Sequence, residues 1–213
     1  MPENMHAGRP VAVWGADRGA ARVAVVAVHG RGQTPEFMYE ASRSIGADGV
    51  RFYAPHAHGD SWYPEPFMVP VEKNEPDLAF ALESLRACTR DVGRDGFDHG
   101  RVVLWGFSQG ACLVSQLVVT GEERVGGIVV FTGGYIGDGP APAPVGTAVR
   151  GVPVVVRSVE HDPWVPAERV RETARLLTAL GADVDLRIDP GNDHVVTAEA
   201  RRAAGRLLAR VSR

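Results

Sequence analysis

The stretch VVLWGFSQGACLVSQLVV, residues 102–119, carries the clearest structural signal in this chain. An apolar run with strand character ends at Trp105, the pentapeptide Gly-Phe-Ser-Gln-Gly follows, and a second apolar run reads as a buried helix. In a strand-to-helix elbow, glycines two residues before and after a serine remove side chains that would collide with the neighbouring strand and helix. Ser108 is therefore a candidate nucleophile, and the alternative is a tight structural turn.

Strand-like and helix-like segments alternate on both sides of this stretch. Several strand-like runs are apolar throughout, as is typical of parallel strands covered on both faces. The runs are 11–14, 23–30, 50–55, 101–107, 127–131, 152–158 and 184–188. Apolar stripes at helical spacing follow within 78–92, 170–180 and 200–211, and Gly181 is a natural helix stop. The pattern predicts one α/β domain over residues 1–213, with a mainly parallel sheet of about seven strands and helices on both faces.

Composition excludes several classes of protein. The 213 residues are 45% hydrophobic and 23% charged, and the net charge of −3 gives no electrostatic reason to expect nucleic acid or an anionic membrane as a partner. No apolar run has the length of a membrane span, and the N-terminal residues lack the apolar core of a secretory signal. Cys88 and Cys112 fall in helix-like apolar patterns, which predicts two buried free thiols and a cytoplasmic protein. An aromatic-rich edge or loop would suit a homodimer.

A nucleophilic serine needs a base, and the base needs an acid that orients it. Asp162 follows a later strand-like run, and His194 lies in a Gly-Asn-rich loop before the final helical stripe. Serine, acid and histidine in this order, each just past a strand, predict a catalytic triad. Alternatively, Asp162 caps the next helix and His194 is a polar loop residue. Asp189 is the reserve acid, and Asp193 is a weaker rival because neighbouring side chains diverge.

Acyl transfer also needs hydrogen-bond donors for the oxyanion. The backbone N–H of Gln109 is one candidate because it follows the serine, and the N–H of Arg31 is the second because an H-G-x-G turn ends an early strand. The alternative is an ordinary glycine turn. The side chain of Arg31 either meets a carboxylate on the substrate or is solvated.

Aromatic and sulfur side chains are the candidates for a substrate pocket. They either wall an apolar site or pack the long connection between residues 55 and 75 onto the domain. These candidates are Trp62, Tyr63, Phe67, Met68 and Trp164. His56, His58 and Asp60 are close in sequence, but no further ligand completes a metal site, so no metal is predicted. The Pro- and Gly-rich segment 137–146 predicts a stiff surface loop that either stays in place or moves over the site.

These motifs together resemble the phospholipase/carboxylesterase family of α/β-hydrolases, which includes acyl-protein thioesterases. The resemblance extends from about residue 23 to the C-terminus. It rests on H-G-x-G at 29–32, SWYP at 61–64, GFSQG at 106–110, DPWVP at 162–166 and Asp-His at 193–194. It implies an α/β-hydrolase fold without a large cap domain, the triad of Ser108, Asp162 and His194, oxyanion donors at Arg31 and Gln109, and no metal or organic cofactor.

The sequence also departs from the family at two places. Gln33 stands where the usual members carry an acidic residue, and FTGGY at 131–135 stands where many relatives have a Ser-Gly pair. Neither departure touches the predicted triad, but both bear on the substrate. The resemblance implies a serine hydrolase that cleaves a small to medium ester or thioester through an acyl-enzyme on Ser108. The alternatives are cleavage of a peptide, lactone or carbon-carbon bond, or a non-catalytic binding protein on the same scaffold.

Overall fold

A computed structural model describes residues 3–46, 48–140 and 147–213. These residues form a single sheet of seven strands and five α-helices. The strands are β1 (Val11–Gly15), β2 (Val23–Val28), β3 (Val50–Pro55), β4 (Val102–Phe107), β5 (Gly127–Phe131), β6 (Pro153–Val159) and β7 (Asp183–Asp189). The helices are α1 (Pro35–Ser42), α2 (Asp77–Arg94), α3 (Gln109–Thr120), α4 (Ala167–Ala179) and α5 (Ala198–Val211).

The strand order places the candidate nucleophile near the centre of the sheet. The order is β1-β3-β2-β4-β5-β6-β7, and every neighbouring pair is parallel except β1 with β3. Strand β4 therefore lies between β2 and β5, with apolar strands on both sides. The predicted α/β-hydrolase fold with a mainly parallel sheet is confirmed, and no cap domain is evident in the described ranges.

Successive residues of each strand point to opposite faces of the sheet, so the core has two halves. On one face, Leu104 of β4 belongs to a cluster with buried residues of α2, α3 and α4. On the other face, Val103 and Trp105 belong to a cluster with buried residues of α1 and α5. Helix α3 is buried from Gln109 to Val119, which confirms the expectation from its uniformly apolar sequence.

Other features of the sequence can be compared with the structure. Cys88 and Cys112 are buried free thiols, as predicted. Helix α4 ends just before Gly181, whose φ of +89° is typical of a residue that terminates a helix. The long connection after β3 is ordered around two short 3₁₀ turns, His58–Asp60 and Val71–Asn74. Part of the predicted 137–146 loop, residues 141–146, lies outside the described residues. None of the described helices is both long and apolar enough to cross a bilayer.

Candidate active site

Ser108 occupies a strained elbow between β4 and α3. Its φ of +54° and ψ of −121° are rare for a residue with a side chain. The backbone N–H of Ser108 donates to the carbonyl of Phe131 at 3.0 Å, and its carbonyl accepts from the N–H of Cys112 at 2.9 Å. These two bonds fix the turn, so the serine stands at the carboxyl end of the central strand and at the N-terminus of a buried helix.

The two glycines of the elbow are required by close backbone contacts. A Cβ added at Gly106 would lie 2.5 Å from the Cα of Ala111, and one added at Gly110 would lie 2.2 Å from the carbonyl oxygen of Val28. Both distances are far below ordinary van der Waals contact. Glycine therefore lets α3 start directly against β2 and β4.

Asp162 and His194 are joined by a short hydrogen bond. The Nδ1–H of His194 donates to Oδ2 of Asp162 at 2.7 Å, and the other carboxylate oxygen accepts the N–H groups of Trp164 and Val165 at 2.9 Å each. Burial raises the pKa of Asp162, but these three hydrogen bonds outweigh burial and hold the pKa below its usual value. The carboxylate is therefore kept ionised, with one oxygen directed at the imidazole.

The reserve acid has other partners. Asp189 pairs with the guanidinium of Arg187 at 2.5 Å and accepts a hydrogen bond from the hydroxyl of Thr197 at 3.1 Å. Asp162, and not Asp189, is thus the carboxylate that the fold brings to His194.

Ser108 and His194 open onto the same cavity, which has a volume of about 550 Å³. Within the described residues, the Ser108 hydroxyl and His194 form no direct hydrogen bond, and catalytic hydrogen bonds of this kind often tighten only when substrate binds. The remaining lining is mostly apolar or uncharged, namely Arg31, Gln33, Tyr63, Pro66, Phe67, Phe107, Gln109, Cys112, Trp164 and Val165.

The two predicted oxyanion donors flank this cavity. Gln109 is the first residue of α3, where backbone N–H groups have no partner inside the helix. In the described part of the chain, the N–H of Arg31 also has no protein acceptor, whereas the next two N–H groups along the loop, those of Gly32 and Gln33, do. Both residues line the cavity that Ser108 enters, so these N–H groups stay candidates for an oxyanion hole.

His29 supports the loop that carries Arg31. Its imidazole is buried, with Nδ1–H donating to the carbonyl of Gly30 at 2.8 Å and Nε2 accepting from the N–H of Ala57 at 3.1 Å. Burial lowers the pKa of His29 to about 4, so the ring is neutral at neutral pH. A neutral imidazole can make both bonds at once, which explains why histidine suits this position.

The side chain of Gln109 has a structural role that the sequence did not reveal. Its amide oxygen accepts the N–H of Trp62 at 2.9 Å, and its amide nitrogen donates to the carbonyl of Tyr63 at 2.8 Å. The first residue of α3 therefore anchors the connection that follows β3 against the nucleophile.

Of the five proposed pocket residues, the fold brings three to the cavity. Tyr63, Phe67 and Trp164 line it, and Trp164 is 72% exposed at the rim. Trp62 does not line it, because its side chain is fully buried and its indole N–H donates to the carbonyl of His29 at 2.9 Å. Met68 is 38% exposed and is not among the residues that line the cavity.

Other residues of the cavity wall were not proposed from the sequence as pocket residues. Phe107 precedes the serine, and its ring lies 5.1 Å from the imidazole of His194, centroid to centroid. Cys112 lies in the first turn of α3, and its N–H donates to the carbonyl of Ser108 at 2.9 Å, so its closeness to the serine in sequence was a usable signal. Gln33 also lines the cavity, and its amide oxygen accepts the N–H of Gly30 at 2.9 Å.

His56, one of the two histidines considered for a metal site, pairs with Asp60 instead. Nε2 of His56 lies 2.6 Å from Oδ1 of Asp60, and these two residues form an ion pair when the imidazole is protonated. The residues that the structure describes contain no group of three or more His, Cys, Asp or Glu side chains placed to hold a metal ion.

Sequence comparisons match the chain to one protein family and to a related protein. The sequence profile of the family described as phospholipase/carboxylesterase matches residues 12–208. Acyl-protein thioesterase 1 from Gibberella zeae is 35% identical over 104 residues, which cover 46% of this chain and 43% of that protein. The chain therefore matches less than half the length of this curated relative.

Structural comparisons give more complete matches. The crystal structure of a phospholipase/carboxylesterase from Dyadobacter fermentans matches with a TM-score of 0.88 and 31% sequence identity. The match covers 95% of this chain and 97% of the Dyadobacter chain. The carboxylesterase from Bacillus cereus has a TM-score of 0.75 at 18% identity, covering 99% of this chain and 100% of that chain. The second match concerns the fold alone.

Proposed function

The chain belongs to the phospholipase/carboxylesterase family, and from this premise we propose that it hydrolyses a carboxylic ester or thioester of small to medium size through an acyl-enzyme on Ser108. The family and its relatives support an esterase- or thioesterase-type serine hydrolase in general. The identity of the nucleophile and the substrate are the specific parts of the proposal.

One observation carries the proposal. Ser108 sits in a strained elbow and shares a cavity with His194, while the far nitrogen of that imidazole is hydrogen-bonded to the buried carboxylate of Asp162 at 2.7 Å. A serine, a base and an orienting acid in this relationship are the components that activate a hydroxyl for attack on a carbonyl.

The reaction then follows from the groups present. Nε2 of His194 takes the hydroxyl proton as Oγ of Ser108 attacks the carbonyl carbon, and the backbone N–H groups of Arg31 and Gln109 bind the negative oxygen that forms. When the tetrahedral intermediate collapses, the bond to the alcohol or thiol breaks and His194 gives that leaving group its proton. Water, deprotonated by His194, attacks the acyl-enzyme and releases the acid and the free serine.

Asp162 acts on His194 rather than on the substrate. Its carboxylate accepts Nδ1–H, so Nε2 faces the cavity without a proton and is ready to act as a base. The N–H groups of Trp164 and Val165 fix the carboxylate, so its charge also stabilises the imidazolium that forms during attack.

The cavity supports a substrate of limited size. A volume of about 550 Å³ lies within the range of small-molecule sites. Its walls include Tyr63, Phe67 and Phe107, which suit an apolar acyl or leaving group, and Trp164 stands at its rim.

We also propose that the protein acts in the cytoplasm on a small-molecule substrate rather than on nucleic acid. The two buried free thiols suit a reducing compartment, and the net charge of −3 gives no general attraction to a polyanion.

The test of the function is hydrolysis of p-nitrophenyl acetate, butyrate, octanoate and palmitate by the wild type and by Ser108→Ala. We expect activity that peaks at a short or medium chain and falls by several orders of magnitude in the variant. Labelling of the wild type by a serine-directed phosphonate, located by mass spectrometry, identifies the nucleophile independently of substrate choice. A wild type that neither hydrolyses these esters nor takes up the label contradicts the proposal and favours a binding protein.

A further inference from the structure

The guanidinium of Arg31 holds the loop that forms one wall of the cavity. It donates hydrogen bonds to three successive backbone carbonyls, at 3.0 Å to Tyr63, 2.6 Å to Pro64 and 2.8 Å to Glu65. The side chain is exposed to solvent, as one of the two alternatives from the sequence expected, but these bonds hold it in place. Three fixed bonds hold the guanidinium at one position on the wall of the cavity.

This guanidinium keeps its full positive charge. Carbonyl groups accept its hydrogen bonds but do not neutralise it, and among the described residues no carboxylate forms an ion pair with it. Arg157 shows the contrast, because its buried guanidinium pairs with both Asp185 and Glu199. The described lining of the cavity also contains no Asp or Glu. An uncompensated positive charge on a mostly apolar wall attracts an anion.

Gln33 contributes a neutral amide to the lining of the same cavity. Its amide oxygen is taken by the N–H of Gly30, so the amide NH₂ group is the part left for a ligand. A Cβ added at Gly30 would lie 2.8 Å from this amide oxygen and 3.0 Å from the Cβ of Ser108, so the amide is close to the nucleophile. An acidic residue at position 33 would oppose the charge of Arg31, whereas glutamine adds a donor.

We propose that the site selects esters or thioesters that carry a carboxylate in the acyl or the leaving group, bound through the guanidinium of Arg31 and the amide of Gln33. This inference rests on the proposed hydrolase function and names its substrate class. The guanidinium supplies the charge and a donor that is already held in place, so little conformational entropy is lost on binding.

The experiment uses substrates that differ only in the charge of one end group. The acyl series consists of ethyl hexanoates that end in a carboxylate, a carboxamide or an ammonium group. The leaving-group series consists of butyrate esters of butanols with the same three end groups. We expect kcat/KM of the wild type to be at least about tenfold higher for the carboxylate than for the ammonium ester, in the series whose charged end reaches Arg31.

Two variants change the cavity charge by different routes. Arg31→Gln removes the positive charge together with the loop contacts, and Gln33→Glu adds a negative charge while keeping an oxygen for the N–H of Gly30. We expect each variant to reduce the carboxylate-to-ammonium ratio of kcat/KM by about tenfold. Arg43→Gln, which removes an exposed guanidinium paired with Glu40, is the matched control and should keep the wild-type ratio.

The carboxylate-to-ammonium ratio of kcat/KM distinguishes recognition of the substrate charge by Arg31 from a purely structural role of Arg31 in holding the loop. A loss of activity in Arg31→Gln that is equal for all three end groups, or a ratio that Gln33→Glu leaves unchanged, overturns the proposal. A wild-type ratio near one in both series overturns it as well. Hydrolysis of p-nitrophenyl butyrate that depends on Ser108 would still support the function in those cases, so the two proposals fail separately.

Discussion

At the scale of single residues, the hydrogen bond between Asp162 and His194 controls which nitrogen of the imidazole carries the proton. Asp162→Asn replaces the acceptor with an amide that can present N–H₂ to the ring, which favours the wrong tautomer. We expect kcat for p-nitrophenyl butyrate to fall by about 10⁴-fold while the circular dichroism spectrum stays that of the wild type.

The matched control is the other carboxylate near the histidine loop. Asp189→Asn disturbs contacts to Arg187 and Thr197 and no contact to the imidazole, so we expect it to retain kcat within a few-fold. Equal losses in the two variants would contradict the assignment of Asp162.

His29 makes the stability of the native state depend on pH. Its pKa of about 4 lies below the 6.5 of an unfolded histidine because the ring is buried. Between these values the unfolded chain binds a proton that the native state does not, so His29 removes stability as pH falls from about 6.5 to about 4. The loss is at most about 3 kcal/mol.

The prediction for His29 is tested by urea unfolding at pH 4.5 and pH 7. His29→Gln destabilises the protein at both values, but without a titrating ring it should lose less stability on acidification than the wild type. The same comparison for His99→Gln, at an exposed histidine, controls for removal of an imidazole. If His29→Gln keeps the wild-type pH dependence, His29 does not cause the loss of unfolding free energy at low pH.

Residue types and chain order were sufficient to propose the triad, but not the direction of every side chain. Trp62 and Tyr63 are adjacent aromatic residues, and only Tyr63 lines the cavity, since the two side chains diverge and Trp62 is held by the carbonyl of His29. The three carbonyl contacts of Arg31 involve backbone atoms more than thirty residues away. Such contacts depend on the path of a loop, which local sequence does not encode.

At the scale of secondary structure, the elbow depends on how closely α3 approaches the sheet. Gly110→Ala would place a Cβ 2.2 Å from the carbonyl oxygen of Val28, a backbone atom that cannot rotate away. We expect the variant to lose at least about 2 kcal/mol of unfolding free energy, because helix and strand must separate.

A glycine elsewhere in a helix provides the control. Gly93 lies in α2, and a Cβ added there would meet no atom within 4 Å. Gly93→Ala should raise the unfolding free energy by about 0.5–1 kcal/mol, because alanine is the better helix former. Chemical denaturation of both variants measures the difference, and a Gly110→Ala protein of wild-type stability would contradict the close approach.

Secondary structure was predictable where segments were long or strongly patterned. All seven strand-like runs correspond to strands of the sheet, because β-branched residues and flanking turns mark them clearly. Helix α1 was not predicted, since its eight residues span only two turns and give no sustained periodicity. Its signals were Pro35 at the first turn and the closely spaced apolar residues Phe37 and Met38.

At the scale of the whole molecule, the order of the strands could not be read from the sequence. The alternation of elements predicts parallel pairing, but β2 lies between β3 and β4 because of long-range contacts, not local preference. The carboxyl ends of three strands meet beside the central strand β4. They carry the elbow after β4, the acid after β6 and the histidine after β7. Chain order predicted these residues because parallel strands end at one edge of the sheet.

The shared sheet also predicts that the chain unfolds as one unit. Cys88 and Cys112 belong to the core half that α2 and α3 form, whereas Ala203 of α5 is buried in the other half. Both halves are built on the same strands, so neither can lose its packing without exposing the other. Burial raises the pKa of both native thiols to about 12, so both react slowly until the chain opens.

We therefore expect one urea midpoint for thiols on both faces. Pulsed labelling of Ala203→Cys with a maleimide, followed by peptide mass spectrometry, reports all three thiols in one sample. Coincident midpoints that also match the loss of circular dichroism are the expected result for a single domain. The wild type, labelled at its two native thiols, controls for any effect of the added sulfur. Labelling of residue 203 at a lower urea concentration than Cys88 and Cys112 would mean that the α1 and α5 face opens by itself, because the strands would then keep their packing against α2 and α3.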